Sequence, residues 1–213
     1  MHVGQACIIN EDVARFFPSI TSAQVFDVWH ELFRFPDEVA AALTDLTTRQ
    51  GFLPQGARTS SYLANLIFWR SEPEFVRYLS SKGLRYSRFV DDITVSSSVP
   101  LSSEQKSNVK SAIHSFMKRG GFTRNYRKQQ IYGAGHRMVV NNLIVNKRAA
   151  LSREKRAEIR DLVRQIVRQL ATGQPELQQG SASARGKIAL MTRFHRRDGE
   201  RLQAMLDLHA PRS

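Results

Sequence analysis

The sequence predicts an α+β fold, an antiparallel sheet backed by helices over residues 1–146, followed by a helical segment over 147–213. Three observations carry that expectation. QACII (5–9) and LRYSRFVDDITVSSSV (84–99) are rich in β-branched and aromatic residues, as strands are. Apolar residues at helical spacing fill the stretches around them. From about Lys147 the composition shifts to a basic, amphipathic helical pattern, and a domain boundary is placed there.

QACII reads as a short buried strand that runs into Asp12. Val25, Val28, Trp29 and Leu32 recur at helix spacing after Thr21 or Ser22 as N-cap, and a second helix is expected from Pro36 to about Thr47. GFLPQGARTS, rich in turn formers, leads into an apolar helix over Tyr62–Trp69, with Pro73 marking a break or a new first turn. The 84–99 segment reads as a hairpin with Asp91-Asp92 at its tip. Val109, Ile113, Phe116 and Met117 define a helix over 104–118, ended by Gly120-Gly121. MVVNNLIVN (138–146) is a further strand or hairpin.

In the last third, Ile159, Leu162, Val163, Ile166, Val167 and Leu170 form an apolar stripe, while Arg156, Arg160, Arg164 and Arg168 recur every four residues on another side. GQPELQQGSASARG (173–186) reads as a polar linker, and two shorter helices finish the chain.

Composition narrows the function classes. With 41% hydrophobic residues in 213, the chain can bury one sizeable core, or one core and a small appended domain. No run of about 18 apolar residues marks a membrane span, and the N-terminus lacks the zones of a signal peptide. The single cysteine, Cys7, excludes an internal disulfide and a cysteine metal cluster, which suits a reducing compartment and makes the cytoplasm the expected location. The six histidines show no zinc-binding spacing. The formal charge of +13 points to nucleic acid as partner, although a basic solubilised protein or a ribosome-associated one fits the composition as well.

Asp91 and Asp92 are the unusual feature, because adjacent carboxylates raise each other's pKa unless a cation lies between them and a partner. An isolated Asp-Asp dipeptide is ordinarily a solvated turn. If the strand ending at Asp12 neighbours this hairpin, the three carboxylates make a hard-oxygen site that selects Mg2+ or Mn2+ over zinc. Two such ions a few ångströms apart serve phosphoryl transfer.

DVARFFPSI (12–20), LPQGARTSSYLANL (53–66), YSRFVDDITVS (86–96) and GFTRNYRK (121–128), in that order, resemble motifs A, B, C and D of reverse transcriptases. The resemblance is to the bacterial type of retrons, group II introns and phage-defence polymerases, and GKIALMTRFH (186–195) resembles part of their thumb. It implies a polymerase palm with motifs A to E over 1–146 and an α-helical thumb over 147–213. It also implies RNA-directed DNA synthesis with two Mg2+ ions, Mn2+ being an alternative. The implied partners are an RNA template, a DNA primer, their RNA–DNA hybrid and a deoxynucleoside triphosphate, with no membrane.

Residue by residue, the resemblance makes Asp12, Asp91 and Asp92 the metal ligands, with the Val13 carbonyl as an extra ligand. Phe17, five residues after Asp12, falls at the aromatic steric gate against a ribose 2′-hydroxyl. The alternative for Phe17 is core packing beside Phe16, since only one of two successive rings on a strand faces the site. Gln55 and Gly56 match the PQG of motif B, which reaches the nucleotide and template. Lys128 stands where motif D has a lysine near the triphosphate that serves as the acid for departing pyrophosphate; Arg127 competes for the role, a solvated lysine is the alternative reading, and Asn125 shapes the loop. Phe89 and the row Arg156, Arg160, Arg164 and Arg168 are the expected nucleic-acid contacts, the row alternatively being a solvated face balanced by Glu154, Glu158 and Asp161.

Two positions depart from the family pattern. Val140-Asn141-Asn142 stands where retron enzymes carry a VTG triplet, and Phe89 replaces a tyrosine at the start of motif C. His2 lies at a distance resembling the NAxxH element of retron-like enzymes, although a lone histidine is more often structural. Motif A begins at residue 12, where relatives place a fingers region upstream. The sequence therefore leaves three readings: an enzyme completed by fingers from a second polypeptide or an RNA, a truncated polymerase, or a non-catalytic nucleic-acid-binding subunit.

Overall fold

The computed structural model describes residues 1–133, 135–171 and 178–209. They form two compact units, Met1–Asn141 and Asn142–Ser213.

The first unit is built on a four-stranded antiparallel sheet in the order β2-β3-β1-β4, with β1 Cys7–Asp12, β2 Leu84–Phe89, β3 Asp92–Ser97 and β4 Gln130–Tyr132. Alternation along β1 and β3 sends Cys7, Ile9, Ile93 and Val95 into the helix-covered core. The opposite face carries Asn10, Thr94 and Ser96 between its strands. There Thr94 donates to Asn10 Oδ1 at 3.0 Å, and Asn10 Nδ2 donates to the Val139 carbonyl at 2.8 Å.

The helices follow their sequence signals. A short turn α1 (Phe16–Ser19) precedes α2 (Ser22–Asp27), which begins with a Thr21–Gln24 capping box and runs on into a π-helical turn, Val28–Leu32. Next come α3 (Asp37–Thr47), α4 (Ser60–Leu66) and α5 (Glu72–Ser81), the last with Pro73 in its first turn. Helix α6 (Ser103–Arg119) opens on a Ser102–Gln105 capping box and ends on Lys118 and Arg119, the favourable sign for its dipole. It buries Val109, Ile113, Phe116 and Met117. Phe116 stacks on Phe75 (centroids 4.4 Å apart) and leans on Phe68 (4.7 Å), which packs against Phe16 and Phe122. Each such ring contributes about 1.5–3 kcal/mol by burial.

Beyond β4, β5 covers Val139–Val140, and Asn141 and Asn142 follow at φ 47° and 63°, backbone that Asn tolerates better than most residues. In the second unit β6 (Leu143–Ile144) pairs antiparallel with β7 (Ala150–Leu151), followed by α7 (Arg153–Ala171), α8 (Gln178–Phe194) and α9 (Arg196–Asp207). Ile159, Val163 and Ile166 of α7 meet Ala184, Ile188 and Met191 of α8 and Leu202 and Leu206 of α9 in one apolar core.

Two expectations need correction. The units divide after Asn141 rather than near Lys147, because the β6–β7 ladder ties 143–151 to the second unit. The linker expected over 173–186 is helical from Gln178 onward, since Ala184 and Ile188 are buried against α7 and override the weak propensity of its glycines and serines. The start of that expected linker lies outside the described residues.

Candidate active site

In the β1–β3 ladder Asp12 stands directly opposite Asp92. The β2–β3 ladder closes at Phe89 and Asp92, leaving Val90 and Asp91 as the hairpin turn. Val90 takes φ 57°, a left-handed backbone that a β-branched residue rarely adopts and that costs on the order of 1–3 kcal/mol. Its surroundings hold it: the Val90 N–H donates to Asn65 Oδ1 (3.1 Å), and its carbonyl accepts from Arg88 Nη1 (2.9 Å). Arg88 is itself fixed by a pair with Glu72 at 2.8 Å. On the other side the Val13 N–H donates to the Asp91 carbonyl at 3.1 Å.

The result is a cluster in which carboxylate oxygens of Asp12, Asp91 and Asp92 all lie within 4.8 Å of one another. Asp12 is buried, Asp91 intermediate and Asp92 exposed. Burial pushes the carboxyl pKa of Asp91 up, with the Asp12 charge adding to it. Asp92 is raised by burial and then by the charges of Asp91 and Asp12. Asp12 is anchored from the segment after α6. The Asn125 N–H donates to the Asp12 carbonyl (2.7 Å), Asn125 Nδ2 to its Oδ1 (3.0 Å) and Lys128 Nζ to its Oδ2 (2.8 Å). This hydrogen bond is the main cause of a raised Lys128 pKa, so the ammonium stays protonated. Three converging carboxylates, those of Asp91 and Asp92 with raised pKa values, are the donor set that a divalent cation such as Mg2+ or Mn2+ fits.

Phe16 and Phe17 lie on the helical turn α1 rather than on a strand, which corrects the basis on which the two rings were separated. The structure still separates them: Phe16 is buried among Phe68 and Phe122, while Phe17 is half-buried and only packs against the edge of that cluster. Val13 is buried directly after Asp12. Gln55 and Gly56 are exposed in a turn before α4, and Gly56 takes φ 91°, where a side chain would be strained. Phe89 is 60% exposed beside Asp92.

The arginine row divides within α7. Arg164 and Arg168 are exposed and Arg160 half-buried, but Arg156 reaches Asp198 of α9 at 3.4 Å. Arg164 also lies 3.5 Å from Asp161.

Sequence reading missed the supports of this site. Glu11 alternates with Asp12 and so points to the opposite face, where it is buried and bound by Gln129 Nε2 and, at 3.2 Å, by His114 Nε2. Arg124 Nη1 donates to Nδ1 of the same imidazole at 3.1 Å, which leaves the Nε2 proton for Glu11. This network ties α6 and the 124–129 segment to β1, and that segment supplies Asn125 and Lys128. An acidic residue beside Asp12 was visible in the sequence, but nothing local named its partners. His2 is structural, its two ring nitrogens bonded to Ser96 Oγ (2.7 Å) and Ser87 Oγ (2.8 Å).

No protein-family model matches the sequence. The chain is 34% identical over 212 residues to the retron Se72 reverse transcriptase of Salmonella heidelberg, covering 97% of this chain and 56% of that protein. It is 32% identical to the retron Ec86 reverse transcriptase of Escherichia coli over 166 residues, 78% of this chain and 51% of that one. Apo telomerase from Candida tropicalis aligns with a TM-score of 0.60 at 10% identity, over 98% of this chain and 43% of the telomerase. The fold is that of a polymerase palm and thumb. The chain is a sequence relative of the retron-type reverse transcriptases and spans about half the length of the curated relatives it matches. Among the described residues no helix is long and apolar enough to cross a membrane.

Proposed function

We propose that this chain carries the catalytic palm and the thumb of an RNA-directed DNA polymerase that adds deoxynucleotides to a primer 3′ end in a retron-like or defence setting. The single observation that carries the reading is the placement of Asp12, Asp91 and Asp92 within 4.8 Å of one another on adjoining strands. Its support in sequence is the match to retron reverse transcriptases along nearly the whole chain.

Asp12, Asp91 and Asp92 would hold the divalent ions, with the Val13 carbonyl a further ligand. When bound there, such ions would supply activation of the primer hydroxyl and charge stabilisation at the leaving oxygen. Phe17 borders the sugar of the incoming nucleotide and excludes a 2′-hydroxyl. The Gln55–Gly56 turn meets the base pair, and Phe89 and the thumb arginines meet the template–primer. Lys128 delivers a proton to the departing pyrophosphate, its ammonium already on the Asp12 carboxylate.

The test is primer extension on an RNA template with a retron fingers region supplied in trans. Asp91→Asn and Asp12→Asn should abolish extension while leaving hybrid binding largely intact. Extension by Asp91→Asn close to the parent's would defeat the reading. A parent that binds hybrid but never extends it would leave a nucleic-acid-binding subunit.

A further inference from the structure

We propose that the hollow at the junction of α8 and α9 is a binding site for a backbone phosphate of a nucleic-acid strand, separate from the α7 arginine row. It deepens the proposed function, on which it rests only for the class of polymer bound. The hollow has a volume of about 480 Å³, and its lining includes Arg148, Arg193, Arg196, Arg197 and Thr192, with one carboxylate, Asp198. That carboxylate is engaged by Arg156, and Arg196 by Glu200 at 2.7 Å. Among the described residues Arg148, Arg193 and Arg197 have no acidic partner. Three guanidinium groups therefore share one concavity whose single lining carboxylate, Asp198, is engaged by Arg156.

Local structure forces this crowding. A Cβ on Gly199 would lie 2.6 Å from the Thr192 Cα and N, so only glycine lets the first turn of α9 press against the last turn of α8. That contact brings Arg196 and Arg197 up to Arg193. The first turn of a helix is the end where its dipole disfavours cations, yet α9 begins Arg-Arg. No side chain caps this end: His195, the N-cap, uses its Nε2 to accept from the Leu151 N–H at 3.1 Å. Burial lowers the His195 pKa, with Arg156 adding to the effect, so the imidazole stays neutral and cannot add to the charge. Cations placed against the dipole and amides left uncapped are both satisfied by one ligand, an anionic tetrahedral oxyanion. On a chain of charge +13 that resembles template-using polymerases, the abundant source of that group is the phosphodiester backbone.

The experiment is fluorescence anisotropy of a labelled RNA–DNA hybrid across a salt series, on the whole chain carrying Asp91→Asn as a common background. Binding is then read without catalysis, so failure of the polymerase reading leaves this test intact. Arg148→Gln with Arg197→Gln should weaken binding about tenfold and flatten the slope of log affinity against log salt by about one to two units, roughly 0.9 per phosphate contact. A charge-matched control, Arg77→Gln on α5 with Lys82→Gln at its C-cap, should leave the slope unchanged, and circular dichroism checks that both variants fold. Equal losses in the two pairs would reduce the effect to diffuse charge and overturn the site. Inorganic phosphate is titrated in parallel, followed by the Arg197 and Thr192 amide resonances. Saturable phosphate binding with hybrid affinity untouched by the double substitution would make this a small-anion site and also overturn the proposal.

Discussion

Lys128 Nζ lies 2.8 Å from Asp12 Oδ2, so the ammonium touches the carboxylate that also faces Asp91 and Asp92. A lysine here has two effects that experiment can separate. As a proton donor it speeds the chemical step, and Lys128→Gln should slow extension on the order of 10²-fold. As a cation it competes with a divalent ion for Asp12. A unit charge at about 4 Å in water-like surroundings is worth about 1 kcal/mol, so the same substitution should tighten Mn2+ binding about fivefold. Titration of Mn2+ by electron paramagnetic resonance measures the second effect without turnover. Unchanged Mn2+ affinity would remove the competing role and leave the kinetic one standing.

Phe16 and Phe17 are predicted to fail in different ways. Phe17→Ala removes a half-buried ring at the edge of the core, and should admit ribonucleotides while leaving the melting temperature nearly unchanged. Phe16→Ala opens a cavity between Phe68 and Phe122 and should cost about 3–5 kcal/mol in denaturant melts. Competition between a ribonucleotide and its deoxy counterpart reads the first outcome. Unaltered sugar selectivity in Phe17→Ala would move the gate elsewhere.

The carboxylate trio was legible in the sequence because its parts are local: an apolar strand ending in Asp12 and a strand pair enclosing Asp91-Asp92. What surrounds the trio was not. Val90 at φ 57° depends on Asn65, Arg88 and Glu72, which come from α4, β2 and α5 and share no periodicity with it. Glu11 and His114 are 103 positions apart and meet only because α6 crosses under β1. The helical start of α8 was hidden for a different reason. Small and polar residues read as linker until burial of Ala184 and Ile188 is known. Tertiary burial decided that case against propensity.

His2 makes stability depend on pH. Burial lowers its pKa from 6.5 to about 4, so the folded protein keeps the ring neutral while the unfolded chain takes up a proton below 6.5. The unfolded state then binds more protons than the native state. Stability contributed by neutral His2 is complete above about pH 6.5 and is lost as pH falls toward 4. His2→Gln should flatten that part of the stability profile, at the cost of one of the two serine contacts. Chemical denaturation between pH 7 and pH 4 gives both slopes. Parallel curves for parent and variant would show that another group titrates.

The α7 row should not behave as a unit. Arg156 is partly buried and engages Asp198, so Arg156→Gln is expected to loosen the α7–α9 contact and leave the salt dependence of hybrid binding where it was. Its loss should appear as lowered stability, on the order of 1 kcal/mol for a pair that remains partly solvated. Arg160 and Arg168 have no acidic partner among the described residues, and Arg164 has only an exposed contact with Asp161 at 3.5 Å, the kind that contributes little. These three are free to meet phosphates. Arg160→Gln with Arg168→Gln should therefore flatten the salt slope by up to about two units, each phosphate contact contributing roughly 0.9 on duplex DNA and a similar amount on a hybrid. Sequence preference should not change, because phosphate contacts carry no base information. Combined with Arg148→Gln and Arg197→Gln, the losses should add, since the two groups of arginines would then grip different phosphates. An Arg160/Arg168 variant with the parent's slope would leave this face of α7 as solubilising surface, and the hollow between α8 and α9 would carry the grip of the thumb alone.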